Sequence, residues 1–230
     1  MNTYRKTAII VGTLFIVCTV ASILGPTLAI SANSPDYLNQ LAGNPDQIVT
    51  AALLEFIWAA TGAGIAIGLY PLLKKYNGAL ALGSVGFRVV ENVFVLIGTL
   101  SLLSLLTLSQ EFIAAGSPEA SSFQTLGSLL LAVRDWQLHI ISGLAFSLGV
   151  LMYYAILYRS NLIPRWLSVW GLIGVVPYMA YALLHFFHLD TGYGLYLQMV
   201  LAPLEMVVAV WLIVKGFNPS AIAALSAKTE

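Results

Sequence analysis

LALGSVGFRVVENVFVLIGTLSLLSL, residues 80–105, is the stretch whose reading decides the fold. It holds two charged residues, Arg88 and Glu91, in an otherwise apolar and small-residue run. A helix crossing the roughly 30 Å hydrocarbon layer of a bilayer needs about 20 mostly apolar residues. Only a segment that satisfies its backbone hydrogen bonds internally survives there. The stretch therefore predicts a membrane helix.

Working outward, five further runs of the same kind are found: Ala8 to Ala29, Ile48 to Leu73, Trp136 to Tyr158, Leu167 to Leu184 and Leu195 to Val214. The third and fourth of the six are longer than a membrane is thick, because the pattern continues to Leu108 and restarts near Phe123. The surplus reads as helix projecting from the outer surface, or as tilt. The predicted fold is all-α: a polytopic membrane protein, a six-transmembrane-helix bundle. Residues 1–217 form a single membrane domain and 218–230 a short tail.

Composition agrees. The chain is 59% hydrophobic and 9% charged, with a mean hydropathy of +0.88, against about 45–50% and about 25% for soluble domains. Those values exclude a water-soluble enzyme, a nucleic-acid binder and a disordered regulator. Ten basic residues balance ten acidic ones, so no basic excess attracts nucleic acid. Cys18 is the single cysteine, which excludes an intrachain disulfide.

Arg5, Lys6, Lys74, Lys75, Arg159, Arg165, Lys215 and Lys228 fall in the tails and even-numbered turns. The odd-numbered loops carry Asp36, Asp46, Glu111, Glu119 and Asp190 instead. Lys and Arg excess marks the cytoplasmic side, so both termini are expected inside, in a bacterial cytoplasmic membrane. The first span reads as an uncleaved anchor, since its apolar run exceeds the roughly 7–15 residues of a signal-peptide core.

Six charges do not belong to loops: Glu55, Arg88, Glu91, Arg134, Asp135 and Glu205. An ionisable group at the bilayer centre costs about 2.5–3.5 kcal/mol even on lenient scales, so such groups face the bundle interior, pair, or line a wet cavity. Counting helix rise at about 1.5 Å per residue puts Arg88, Glu91 and Glu205 near the midplane. The same count puts Glu55, Arg134, Asp135 and His139 toward the outer boundary. Ser84, Arg88, Glu91 and Asn92 share one face by their 3 and 4 spacing. Asp135, His139 and Ser142 make a second stripe. Gly171, Gly174, Tyr178, Tyr181, His185 and His188 make a third. Pro203 lies two residues before Glu205 and is expected to free a carbonyl within the membrane. Ala60, Gly64 and Gly68 form a small-residue ladder that admits close approach of another helix. The glycine pairs Gly83 with Gly86 and Gly171 with Gly174 suggest a repeated hairpin, or a shared need for close packing.

Two readings of the midplane set stand side by side. It is either an ion-pair network that fixes helix register, or a ligand site and proton relay. One arginine against two carboxylates leaves excess negative charge, most easily relieved by a proton on one of them. The functional expectation is a small-molecule or proton-coupled carrier or binding protein with a cavity open to the outside. Arg88 is its anchor, Glu91 and Glu205 are its titrating acids, and Glu55, Arg134, Asp135 and His139 form the vestibule. No catalytic residue is identified and no cofactor is expected. The alternatives are a metal-dependent membrane hydrolase with zinc on His139, His185 and His188, a b-type haem on His139 and His185, and an accessory membrane protein. The lipid bilayer and a small-molecule ligand are the expected partners, with oligomeric state open.

LYPLLKK at 69–75, GFRVVE at 86–91, LSLLSLLTLS at 100–109, RDW at 134–136, LIPRWLSVWGLIG at 162–174 and WLIVKGF at 211–217 resemble an uncharacterised bacterial membrane family, domain of unknown function 4386. The resemblance implies an integral membrane protein and supplies no chemistry. Arg88, Glu91, Arg134 and Asp135 are the polar positions inside the matching motifs, and His185 and His188 lie outside them.

Overall fold

A computed structural model describes residues 3–29, 36–117, 122–189, 192, 196–197 and 199–226. Among these every regular element is helical. The elements are α1 (Thr3–Leu28), α2 (Tyr37–Gly43), α3 (Pro45–Leu73), α4 (Gly78–Ala114), α5 (Ser122–Asp135), a π-helical turn (Trp136–Ile141), α6 (Ser142–Ser160), α7 (Arg165–Phe186), α8 (Leu201–Val214) and α9 (Pro219–Ser226).

Local chemistry sets their ends. Pro45 opens α3 at its first turn, where a missing N–H costs nothing. The Asn77 side chain accepts from the Leu80 N–H at 3.0 Å and so caps α4. Asn161 adopts the left-handed conformation at φ 53° to stop α6. Pro164, extended, then launches α7.

Four helices, α1, α3, α4 and α7, are long and apolar enough to cross a membrane. A fifth crossing is reached if α8 and α9 count as one span bent by 74°. The expected run from Trp136 to Tyr158 is divided between the π turn and α6, which has 19 residues. The expected run from Leu195 to Val214 becomes helix α8 only at Leu201. Glu119, Asp190, Leu195 and Lys228 lie outside the described residues.

The main helices close into a ring in which each packs on its neighbours: α1 on α3, α3 on α4, α4 on α6, α6 on α7, α7 on α8, and α8 back on α1. Phe15, Leu69, Val150, Tyr154, Leu204 and Val208 belong to the buried core that fills it. The small-residue ladder of α3 finds its close neighbour within the chain: Gly64 lies under Leu14 and Gly68 under Val11, both on α1. The glycine pairs are not equivalent. Gly83 packs on Met152, Gly171 on the Tyr154 ring and Gly174 on Leu201, whereas Gly86 faces open space.

α4 has 37 residues, about 55 Å at helical rise, well beyond the apolar layer. Its outward side changes character along its length, from exposed Leu82, Val89, Val93, Ile97 and Leu100 to exposed Ser104, Thr107, Gln110 and Glu111. Past that change α2 and α5 lean on α4. Leu41, Ile48, Ala52, Leu102, Leu105 and Leu106 form a separate small core there. Helix α5 runs through the π turn into α6 without a break, so residues 122–160 form one rod antiparallel to α4.

The opposite end gathers the basic residues. Arg5 donates to the carbonyls of Leu212 (3.2 Å) and Ile213 (2.5 Å), capping α8 with a cation where the helix dipole is negative. Residues 219–226, expected as part of a tail, form α9 with Ala221 and Leu225 buried. The Asn218 N–H donates to the Leu162 carbonyl at 2.8 Å, and the Tyr76 hydroxyl to the Ala221 carbonyl at 3.0 Å. Burial at this joint raises the Tyr76 phenol above its ordinary range.

Candidate functional site

The polar stripe of α4 is buried as its spacing predicts: Ser84, Arg88, Glu91 and Asn92 are each 4% exposed or less. Arg88 and Glu91 meet at 2.7 Å across one helical turn. That contact is an ion pair without hydrogen-bond alignment. The only hydrogen bond the guanidinium makes among the described residues is a long one, 3.4 Å from Nη2 to the Gly62 carbonyl of α3. Among the described residues its Nε has no acceptor, and its Nη1 has only the Glu91 contact. The Phe146 ring of α6 lies under the guanidinium at 4.9 Å, a cation–π contact.

Two glycines make room for this group. A Cβ at Gly62 would stand 2.7 Å from Asn92 Oδ1 and 3.1 Å from Arg88 Nη2, and one at Gly149 would stand 3.0 Å from Arg88 Cγ. Asn92 Nδ2 donates back to the Arg88 carbonyl at 2.6 Å, while its Oδ1 accepts nothing among the described residues. Glu205 enters from α8, near enough to Arg88 to feel its charge. Its Oε2 accepts from the Thr19 hydroxyl of α1 at 2.9 Å. Arg88 and Glu91 are thus paired on α4, Glu205 of α8 is tied to Thr19 within range of the Arg88 charge, and Gly62 and Phe146 complete the surroundings of the guanidinium. Pro203 falls in the first turn of α8, where N–H groups have no helical partner, so the expected loss of a backbone bond does not arise.

Glu55 and Arg134 form a second cluster. Arg134 grips Glu55 with both nitrogens, Nη2 to Oε1 and Nη1 to Oε2 (3.1 Å), and Nη1 also reaches the Gly98 carbonyl at 2.9 Å. The Thr99 hydroxyl donates to Glu55 Oε2 at 2.9 Å. Helices α3, α4 and α5 are pinned at one point. Glu55 has no exposed surface and Arg134 is 8% exposed, so the pair is a buried clamp between helices.

Asp135 turns to another partner. The π turn inserts an extra residue, marked by the Ser142 N–H bonding the Gln137 carbonyl. The 3 and 4 spacing that linked Asp135 to Ser142 therefore fails across it. Asp135 is exposed and meets His185 Nε2 of α7 at 3.1 Å. The His139 side chain lies outside the described residues. His188 sits past the end of α7 at φ 56°, off the helical stripe, with its ring on Trp136 at 5.8 Å. Among the described residues no group of three His, Cys, Asp or Glu is arranged to hold a metal ion. A void of about 10 Å³ lined by Phe15, Tyr153, Tyr154, Leu212 and Phe217 has room for about one water and apolar walls, so it suits no ligand.

Thr19, Thr99, Gln137 and Phe146 were not marked by sequence reasoning. Thr99 carried a usable signal, seven residues beyond Asn92 on the same stripe. Thr19, Gln137 and Phe146 have no spacing that singles them out.

Residues 10–216 match the family described as Domain of unknown function (DUF4386), and the chain belongs to that family. No curated protein and no solved structure matches it.

Proposed function

For this member of the DUF4386 family we propose a proton-coupled carrier of a small polar molecule. Its exchange site lies between Arg88, Glu91 and Glu205. The observation that carries the reading is the contrast between the two arginines. Arg134 is satisfied by a bidentate carboxylate and a carbonyl. Arg88 is as deeply buried, yet among the described residues its Nε has no acceptor, its Nη1 meets Glu91 out of hydrogen-bond line and its Nη2 makes only one long bond. A register-fixing pair gains by full satisfaction, because unmet buried polar groups cost about 1–3 kcal/mol each and more for charges. A group that must exchange partners during a cycle is left under-bonded.

One guanidinium between two carboxylates accommodates one proton, exchanged as ligand enters or leaves and also, more slowly, when the site is empty, so that a proton leak runs without ligand. The ligand presents an acceptor to Arg88 Nε and a donor to Asn92 Oδ1. Six crossings in a bacterial cytoplasmic membrane, with both termini inside, fit this role. Support comes from the ring of six helices and the uninterrupted 122–160 rod. The basic turns collected at one end match the charge bias of cytoplasmic loops.

The test is proton flux into proteoliposomes, driven by a potassium diffusion potential and read with a trapped pH dye. Wild-type protein is expected to pass protons faster than protein-free vesicles, and Glu91→Gln and Glu205→Gln to slow that flux about tenfold or more. Equal flux in wild type, both variants and empty vesicles would overturn the reading.

A further inference from the structure

The π turn sits between the two arginine clusters. Arg134 lies just before it, on α5, holding Glu55. Just after it, α6 carries Phe146 and Gly149, both against Arg88. Within the turn, Gln137 is 2% exposed, yet among the described residues neither its Oε1 nor its Nε2 has a partner. The amide is driven against Gly98 of α4, where a Cβ would collide with Oε1. A buried primary amide with nothing to bond is a local free-energy debt of the kind a second conformation would settle.

A π turn carries one residue more than an α-helical turn in the same length. Converting it to α rotates the helix on one side relative to the other by about 100° and shifts it by about 1.5 Å. Helix α6 is fixed by its packing on α4 and α7, so the rotation would fall on α5. That motion withdraws Arg134 from Glu55 and turns Gln137 off Gly98 in one step.

We propose that the Glu55–Arg134 clamp is the outer gate of the bundle and that the Trp136–Ile141 π turn is the hinge that opens it. The proposal rests on the carrier reading for its purpose, though not for its test. In the closed state the clamp ties α3 and α5 to α4 over the midplane cluster. In the open state the turn becomes α-helical, α5 swings aside, and water reaches Arg88.

The chain supplies its own reporter. Cys18 is its single cysteine, 5% exposed and bonded to the Trp58 carbonyl at 3.8 Å. It lies two turns along α1 from Gly25, which packs on Glu55, so it is about 10 Å beneath the clamp.

The experiment is the rate of Cys18 modification by a charged methanethiosulfonate reagent present on both faces of proteoliposomes, read by mass spectrometry, with Cys18→Ser as blank. Wild type is expected to react slowly. Glu55→Gln and Arg134→Gln, where elution volume and helical circular dichroism match wild type, should react about tenfold faster or more, because a charged hydrogen bond is lost from the closed state alone. Gln137→Leu removes the unmet amide, steadies the closed state and should react about fivefold more slowly or less. A folded Glu55→Gln or Arg134→Gln that reacts at the wild-type rate would overturn the gate. If those two do not fold, Gln137→Leu decides: a rate equal to or above wild type sinks the proposal. Proton flux is measured on the same vesicles. A gate that behaves as expected in vesicles that pass no protons keeps the gate and removes the carrier.

Discussion

Glu205 is half-buried and Glu55 fully buried, and each accepts from one threonine hydroxyl. Glu55 has Arg134 as well, whereas Glu205 depends on Thr19 for the hydrogen bond that anchors it to α1. Thr19→Val keeps the shape and removes the donor. It should destabilise the protein by about 1–3 kcal/mol, a drop of roughly 2–12 °C in melting temperature at this size, read by thermal unfolding in detergent, with Thr19→Ser restoring it. A melting point unchanged by Thr19→Val would show that Glu205 is held by something else. The α4 side of the cluster was legible because helical spacing alone put Ser84, Arg88, Glu91 and Asn92 on one face. Thr19 was not, because an isolated threonine in an apolar run carries no period, and only the pairing of α1 with α8 gives it meaning.

Helices α1 and α8 approach through Gly12. A Cβ there would meet the Ala209 carbonyl oxygen and Ile213 Cγ1 at 2.7 Å each. The carbonyl is backbone and cannot step aside, so Gly12→Val must push the two helices apart, at about 1–3 kcal/mol. Gly86, exposed on α4, has nothing within 4 Å of the same position. Gly86→Ala should leave stability unchanged or raise it by up to about 1 kcal/mol. Paired thermal melts check both; equal effects from the two would contradict the assignment of Gly12 to the contact. Helix existence was legible at this scale, from apolar runs matched to membrane thickness. The π turn was not. RDWQLHII has the residues of an ordinary helix, and nothing in it announces the extra residue of the turn. The predicted 3 and 4 spacing from Asp135 to Ser142 is interrupted there, whereas the residues of the Arg88 face are buried together.

Across the whole molecule, the basic end is the better secured. Helix α9 turns back by 74° and covers Tyr76 and the Leu162 turn through the bonds from Tyr76 and Asn218. Ending the chain after Asn218 should lower the melting temperature by several degrees and speed tryptic cleavage after Lys74 or Lys75 in detergent. Unchanged proteolysis would mean that α9 protects nothing. The collection of basic turns at one end was legible from charge placement. The folding back of α9 was not, since Pro219–Ser226 reads in isolation as a few apolar residues in a charged tail. The ring itself has a consequence for biosynthesis. Its seam joins α1 to α8, far along the chain from it, so the flank of α1 that carries Gly12 and Thr19 lacks this neighbour until α8 is made. Until α8 arrives, that strip must be sheltered by lipid or by the insertion machinery, and Glu205 enters the bilayer at the moment its hydroxyl partner is finally covered.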